Sequence, residues 1–277
     1  MTRRCSEQRF FLRPDPMVRQ IFEYVLALAC ETYGMQLHAF VAMSNHYHLV
    51  VTDPHGHISD FAQFLNALVA RAVNCFRGRR ESFWDPEPFN GVELLDEEAV
   101  FERLAYTHAN PVRARLVSRA EQWSGSSSVG LGFGQCREIE RPNVFFSERM
   151  PARATLRLVR PKMMHELDDI ELESAVSERV REIEGASAVA GSAMGMRQVL
   201  RQRCNESPAS RTTNLHLRPK LAASCSRIRE AALAAYRQWY DSYADALRQF
   251  RDGVRDVVFP AGTYWMCVKL GCLIAPS

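Results

Sequence analysis

The chain has no run of about 18 or more apolar residues, so no transmembrane helix is expected. Its first residues, Met1-Thr2-Arg3-Arg4-Cys5, lack the apolar core of a secretory signal, and a cytoplasmic protein is expected. The eight cysteines are scattered and form no Cys-x-x-Cys pair. The nearest two, Cys267 and Cys272, speak only weakly for zinc, and reduced thiols are the expectation. A large charge of one sign is missing as well. Lys and Arg total 35 against 32 Asp and Glu, a net charge of +3, so bulk charge does not announce a nucleic-acid partner. What is present is 277 residues at 47% hydrophobic composition, enough for one ample core and a further region.

Within that chain, His46-Tyr47-His48-Leu49-Val50-Val51 places two imidazoles one residue apart in an apolar run. A β-strand sends alternate side chains to one face, so His46 and His48 project together while Tyr47 faces away. Two adjacent imidazoles suit a divalent metal better than a packed core. The preceding run, Leu37 to Met43, also reads as a strand, and Ser44-Asn45 between the two runs reads as a tight turn. His55-Gly56-His57 has the same spacing but lies beside Pro54 in a loop, so spacing alone decides nothing.

A second element runs from Leu95 to Val117. Asp96 is a candidate N-cap, Glu97 and Glu98 fall in the first turn, and Val100, Phe101, Leu104 and Ala105 form an apolar stripe. Tyr106 and Asn110, four apart, share one helical face, and Pro111 is expected to end the helix at Asn110. An amide oxygen can ligate a metal, and a phenol can attack a phosphorus that the metal polarises.

Taken together, the two segments resemble a known family. Met43-Ser44-Asn45-His46-Tyr47-His48-Leu49-Val50-Val51 is similar to the His-hydrophobic-His signature of the HUH single-strand nucleases. Tyr106-Thr107-His108-Ala109-Asn110-Pro111-Val112-Arg113-Ala114-Arg115-Leu116-Val117 resembles the nucleophile segment of the REP-associated tyrosine transposases. Trp123 and Ser126-Ser127 resemble residues that often follow, so the likeness spans roughly residues 3 to 128. The chain departs from the family at Ser44, where Pro is frequent, and at Arg115, where Gly is frequent. At Arg115 a left-handed conformation would be strained.

The resemblance implies that His46, His48 and Asn110 hold Mg2+ or Mn2+, with Mn2+ the better fit to imidazole donors. It implies that Tyr106 attacks a DNA phosphate, leaving a 5′-phosphotyrosine and a free 3′-hydroxyl, and that reversal rejoins the strand. A free phenol is a poor nucleophile at neutral pH, so the metal must assist. The expected partner is single-stranded or hairpin-forming DNA, with the protein a monomer or a homodimer. Arg71, Arg77, Arg79 and Arg80 at the end of one helix, and Arg103 and Arg113 beside the tyrosine, are candidate phosphate contacts. The alternative is a catalytically silent DNA-binding protein of transposase descent.

The fold class expected is α+β. Strands at Arg9–Leu12, 37–43, 46–51 and 91–95 alternate with helices at 17–33, 59–76 and 95–110 in the order of a ferredoxin-like antiparallel sheet with helices on one face. This gives a catalytic domain at 1–128, a linker with a short strand at 129–160, and a mainly helical basic extension at 161–277. In that extension Arg197 to Arg229 reads as an arginine-rich arm. The helix from Ile228 to Phe250 carries Tyr236, Trp239, Tyr240 and Tyr243, which suit core packing or base stacking.

Overall fold

A computed structural model describes residues 1–209 and 220–276. Chain order is β1 (Thr2–Arg4), α1 (Pro16–Tyr33), β2 (Gln36–Ala42), β3 (His46–Thr52), α2 (Ile58–Phe76), β4 (Glu93–Leu94) and α3 (Glu97–Arg113). It continues with β5 (Cys136–Glu140), β6 (Arg153–Arg157), α4 (Asp169–Val189), α5 (Met196–Arg201), β7 (Leu221–Ala222), α6 (Ser226–Arg251), β8 (Val258–Phe259), α7 (Tyr264–Leu270) and β9 (Leu273–Ile274). The chain divides into two compact units, Met1–Val92 with Glu97–Lys220, and Glu93–Asp96 with Leu221–Ser277. Positions 210–219 of the arginine-rich stretch lie outside the described residues. No described helix is long and apolar enough to cross a membrane.

The first unit is a mixed α/β structure built on a three-stranded antiparallel sheet of order β1-β3-β2. Pro16 opens α1, where its missing N–H is no loss, and Gly34 closes it at φ 65 with its N–H on the Cys30 carbonyl. A Cβ at Gly34 would also approach the exposed His55 ring to 2.9 Å, a contact that ring can relieve by turning, so the left-handed φ is the main reason for glycine here. α1 is buried along most of its length and packs against α2 and β6. Its one buried acid, Glu23, is held by Arg19 at 3.0 Å and Arg137 at 3.4 Å, which offsets the desolvation of the carboxylate.

Alternation along β3 divides its side chains between two layers. Tyr47 packs on Phe22 of α1 with ring centroids 5.4 Å apart and donates to Asn66 Oδ1 of α2 at 2.9 Å. His48 faces the other way, against Tyr106 of α3. Helices therefore cover both faces of the sheet, α1 and α2 on one and α3 on the other. This corrects the expectation of helices on one face alone.

Four other expectations change. The first strand is Thr2–Arg4, not Arg9–Leu12, whose apolar side chains are buried from a turn. Its ladder to β3 is extended by the Met1 amino group donating to the Leu49 carbonyl at 2.8 Å. The fourth strand is displaced. β4 pairs in parallel with β7 in the second unit, and only Asn90 bridges β1 antiparallel, through two hydrogen bonds to Thr2. α3 does not stop at Asn110 but runs to Arg113, with Pro111 inside it. Finally, the segment 129–160 is packed structure rather than a linker. β5 and β6 form an antiparallel hairpin whose Ile139, Ala154 and Leu156 join the core around α1.

The second unit has a small core of Ala246, Val257, Phe259, Met266 and Cys272, with Tyr243, Leu247 and Phe250 packed against it. The N-terminal half of α6 lies outside this cluster.

Candidate functional site

The site begins with a two-residue turn. Met43 N donates to the His46 carbonyl at 2.8 Å, closing the hairpin over Ser44-Asn45, so β3 starts at His46. The turn is tied down from outside the sheet by Cys5 N to the Asn45 carbonyl and Leu12 N to the Ser44 carbonyl. The ring centroids of His46 and His48 are 4.9 Å apart. The Tyr106 ring stands edge-on to His48 at 5.6 Å, and all three belong to one chain.

The α3 side of the site is a single stripe. Arg103, Tyr106, Asn110 and Arg113 recur at helical spacing and share one face. The Arg113 guanidinium lies 4.4 Å from the centre of the Tyr106 ring and that of Arg103 lies 5.2 Å from it. Asn110 is 5% exposed, and its side-chain amide makes no hydrogen bond among the described residues. Pro111 forfeits one backbone hydrogen bond near the end of the helix, where few turns depend on it. The last turn is held by Ala114 N to the Asn110 carbonyl at 3.0 Å. A left-handed cap then closes it, with Arg115 N on Val112 O and Leu116 N on Pro111 O. Arg115 sits at φ 55, the strained conformation anticipated at this position.

Charge around the rings is one-sided. Burial lowers the His46 pKa to about 4, assisted by the Arg4 charge. Burial likewise holds His48 well below the ordinary imidazole value, followed by His46, the chain's amino group, Arg103 and Arg4. Both rings are therefore neutral at neutral pH, with lone pairs available. The cations that disfavour an imidazolium favour an anion such as a phosphodiester.

Two contributors were not found in the sequence. Ladder register sets Thr2 opposite His48 and Arg4 opposite His46, so both project from β1 on the face of the rings. The polar Thr-Arg-Arg run has no hydrophobic alternation to mark it as a strand, and only the register discloses these partners.

The remaining candidate arginines divide. Arg77 is 6% exposed, donates to the Phe11 carbonyl at 2.9 Å and pairs with Asp15 at 2.7 Å, so it clamps the 11–15 segment to the end of α2. Arg79 lies 3.8 Å over the Phe11 ring. Arg71 and Arg80 are exposed. On α6, Trp239 is stacked between Tyr236 and Tyr243, parallel to the latter within 4°, and donates to the Ala261 carbonyl. Tyr243 and Trp239 are engaged in this packing, while Tyr236 and Tyr240 remain more than half exposed.

Whether a divalent metal fits is decided by the donor set. Among the described residues no group of three or more His, Cys, Asp or Glu side chains could hold an ion, so a site here must draw on an amide or water beside the histidines. Two imidazoles bound to one ion at about 2.1 Å have ring centres about 5 Å apart, and 4.9 Å is observed. The spacing of His46 and His48 is compatible with two ligands of one ion, and Asn110 lies on the same α3 stripe as Tyr106.

Comparison with protein-family models, with curated proteins and with solved structures gives no match.

Proposed function

We propose that the protein is a metal-dependent single-strand DNA transposase or endonuclease that cuts and rejoins DNA through a 5′-phosphotyrosine at Tyr106. The observation that carries this reading is the convergence of Tyr106 on His48 at 5.6 Å, with His46 4.9 Å further on. A phenol, two neutral imidazoles and an unpaired amide, ringed by guanidiniums, match phosphoryl transfer better than any packing role. The β1-β3-β2 order with a one-residue bridge at Asn90 is what a ferredoxin-like sheet with a shortened fourth strand would give.

In this reading His46, His48 and Asn110 would hold Mn2+ or Mg2+, which would supply Lewis-acid polarisation of the scissile phosphate. Arg103, Arg113 and Arg4 bind the non-bridging oxygens and orient the strand. The Tyr106 phenol loses its proton to water as its oxygen attacks phosphorus, the bond from phosphorus to the 3′-oxygen breaks, and the departing oxygen takes up a proton from water to become a 3′-hydroxyl. Attack by a 3′-hydroxyl reverses the step and releases Tyr106, so no nucleotide hydrolysis is needed. Because every group comes from one chain, a monomer suffices for the chemistry. The substrate is single-stranded DNA beside a hairpin, bound in the cytoplasm. Arg71 and Arg80 remain as outlying phosphate contacts, while Arg77 serves the fold.

The test is to incubate the full chain with a pool of DNA hairpins bearing randomised single-stranded flanks, in Mn2+, Mg2+ or Zn2+. Cleavage with covalent protein–DNA adducts in Mn2+ or Mg2+, abolished in Tyr106→Phe, is expected. Cleavage in Zn2+ alone, or adducts that survive Tyr106→Phe, would overturn the reading.

A further inference from the structure

An imidazole ligates through the nitrogen that lacks a proton, and what holds the other nitrogen decides which one that is. In this site both outer nitrogens are engaged. His46 Nδ1 lies 2.7 Å from Asn45 Oδ1, and His48 Nδ1 lies 2.8 Å from Thr2 Oγ1. We propose that Asn45 and Thr2 are positioning residues: Asn45 sets the tautomer of His46 and presents its Nε2 as a ready acceptor, and Thr2 aims the ring of His48. This rests on the functional reading above and extends it to residues that touch neither substrate nor ion.

The Asn45 amide orientation is fixed, because Nδ2 donates to the Gln8 carbonyl at 3.0 Å and so turns Oδ1 toward the ring. An amide oxygen only accepts, so His46 must carry its proton on Nδ1 and its lone pair on Nε2. That is the minor tautomer of free histidine in water, so the protein imposes it. Asn45 is itself held at the backbone, where its carbonyl accepts from Cys5 N at 2.8 Å.

The segment that supplies these contacts is strained. Glu7 and Gln8 both lie in the left-handed region, at φ 52 and φ 57. Two consecutive non-glycine residues in that conformation need support from their surroundings, and such strain gathers at functional sites. Here it accompanies the Gln8 carbonyl being turned onto Asn45.

Thr2 acts more permissively. A hydroxyl both donates and accepts, so it can bond His48 Nδ1 in either tautomer and dictates neither. Its place opposite His48 in the β1–β3 ladder fixes the ring's direction instead. Outer partners of this kind are worth 10- to 100-fold, roughly, in metal affinity.

The experiment uses the full 15N-labelled chain freed of metal by a chelator, with long-range proton–nitrogen correlation spectra of the histidine rings above pH 7. His46 is expected to appear as the Nδ1–H tautomer, and an Nε2–H form in the wild type overturns the proposal without any variant. Asn45→Leu is expected to release His46 to a mixture of tautomers and to weaken Mn2+ binding, read by electron paramagnetic resonance of free Mn2+, by 10- to 100-fold. Asn45→Asp restores an acceptor and is expected to recover both. Unchanged tautomer and Mn2+ affinity in a folded Asn45→Leu chain overturns the proposal. If the wild type shows the expected tautomer but takes up no Mn2+, the positioning role stands and the metal-dependent reading fails, so the two are separable.

Discussion

Arg115→Gly tests the physics of the helix that carries the candidate nucleophile. Arg115 ends α3 at φ 55, in the position where a left-handed residue closes the helix through hydrogen bonds to Val112 and Pro111. A non-glycine residue pays about 1–2 kcal/mol for that conformation. Glycine removes the penalty but loses about 0.5–1 kcal/mol to the greater freedom of the unfolded chain. The exposed Arg115 side chain contributes little in return, and the carbonyl that accepts from Met194 N is kept in the variant. The net expectation is a gain of about 0.5–1 kcal/mol, or roughly 2 °C in Tm for a unit of this size. Urea unfolding of wild type, Arg115→Gly and Arg115→Ala decides it. Alanine keeps the Cβ and should gain nothing. If Arg115→Gly proves less stable than Arg115→Ala, the left-handed cap after Pro111 is wrong, and with it the continuation of α3 past Asn110.

Two contrasts follow from the same geometry. Arg77→Ala leaves Asp15 with Arg13 alone and empties a buried clamp, so it should cost about 2–3 kcal/mol of stability. Arg113→Ala should change stability by less than about 0.5 kcal/mol, yet weaken binding to single-stranded DNA and lower its salt dependence by about one phosphate contact. Equal stability losses in the two, read by urea midpoints, would refute the division. Acid should destabilise the first unit through His108, whose ring bonds Ser128 Oγ at 2.9 Å and whose pKa is lowered to about 4 by burial. Because the folded value lies below the unfolded 6.5, the stabilisation is full above about pH 6.5 and is lost as pH falls toward 4. This amounts to about 2 kcal/mol by pH 5. His46 and His48, also lowered by burial, add to the same slope, so His108→Asn should remove only the His108 share, and an unchanged slope would contradict it.

Much of the first unit was legible because its signals are local. Pro16 and Gly34 bracket α1, the Ser44-Asn45 pair interrupts two apolar runs, and the stripe of Phe61, Leu65, Val69, Ala72 and Val73 marks α2. Tyr47 turns from the rings to the opposite layer as strand alternation requires. What escaped depends on partners distant in sequence. β1 is polar and exists through its ladder to β3, whereas Arg9 to Leu12 is apolar because it caps the core from a turn. The Ser- and Gly-rich stretch up to Gly134 reads as a domain boundary by composition, yet the hairpin after it closes on α1. Pro111 biases its predecessor out of the helix, but a capped final turn outweighs that bias. Arginine identity cannot separate Arg77, spanned by an aspartate and a carbonyl, from Arg113, which is exposed beside Tyr106. Likewise Thr2 and Arg4 enter the site only through cross-strand register.

The most direct test of the central claim is mass spectrometry of the covalent adduct. The full chain would be incubated with Mn2+ and the hairpin pool, then digested with trypsin and nuclease. The account predicts a nucleotide phosphate on Tyr106 in the peptide from Leu104 to Arg113. A nucleotide mapped instead to another tyrosine, or cleaved DNA with Tyr106 unmodified and no trapped intermediate, would contradict it.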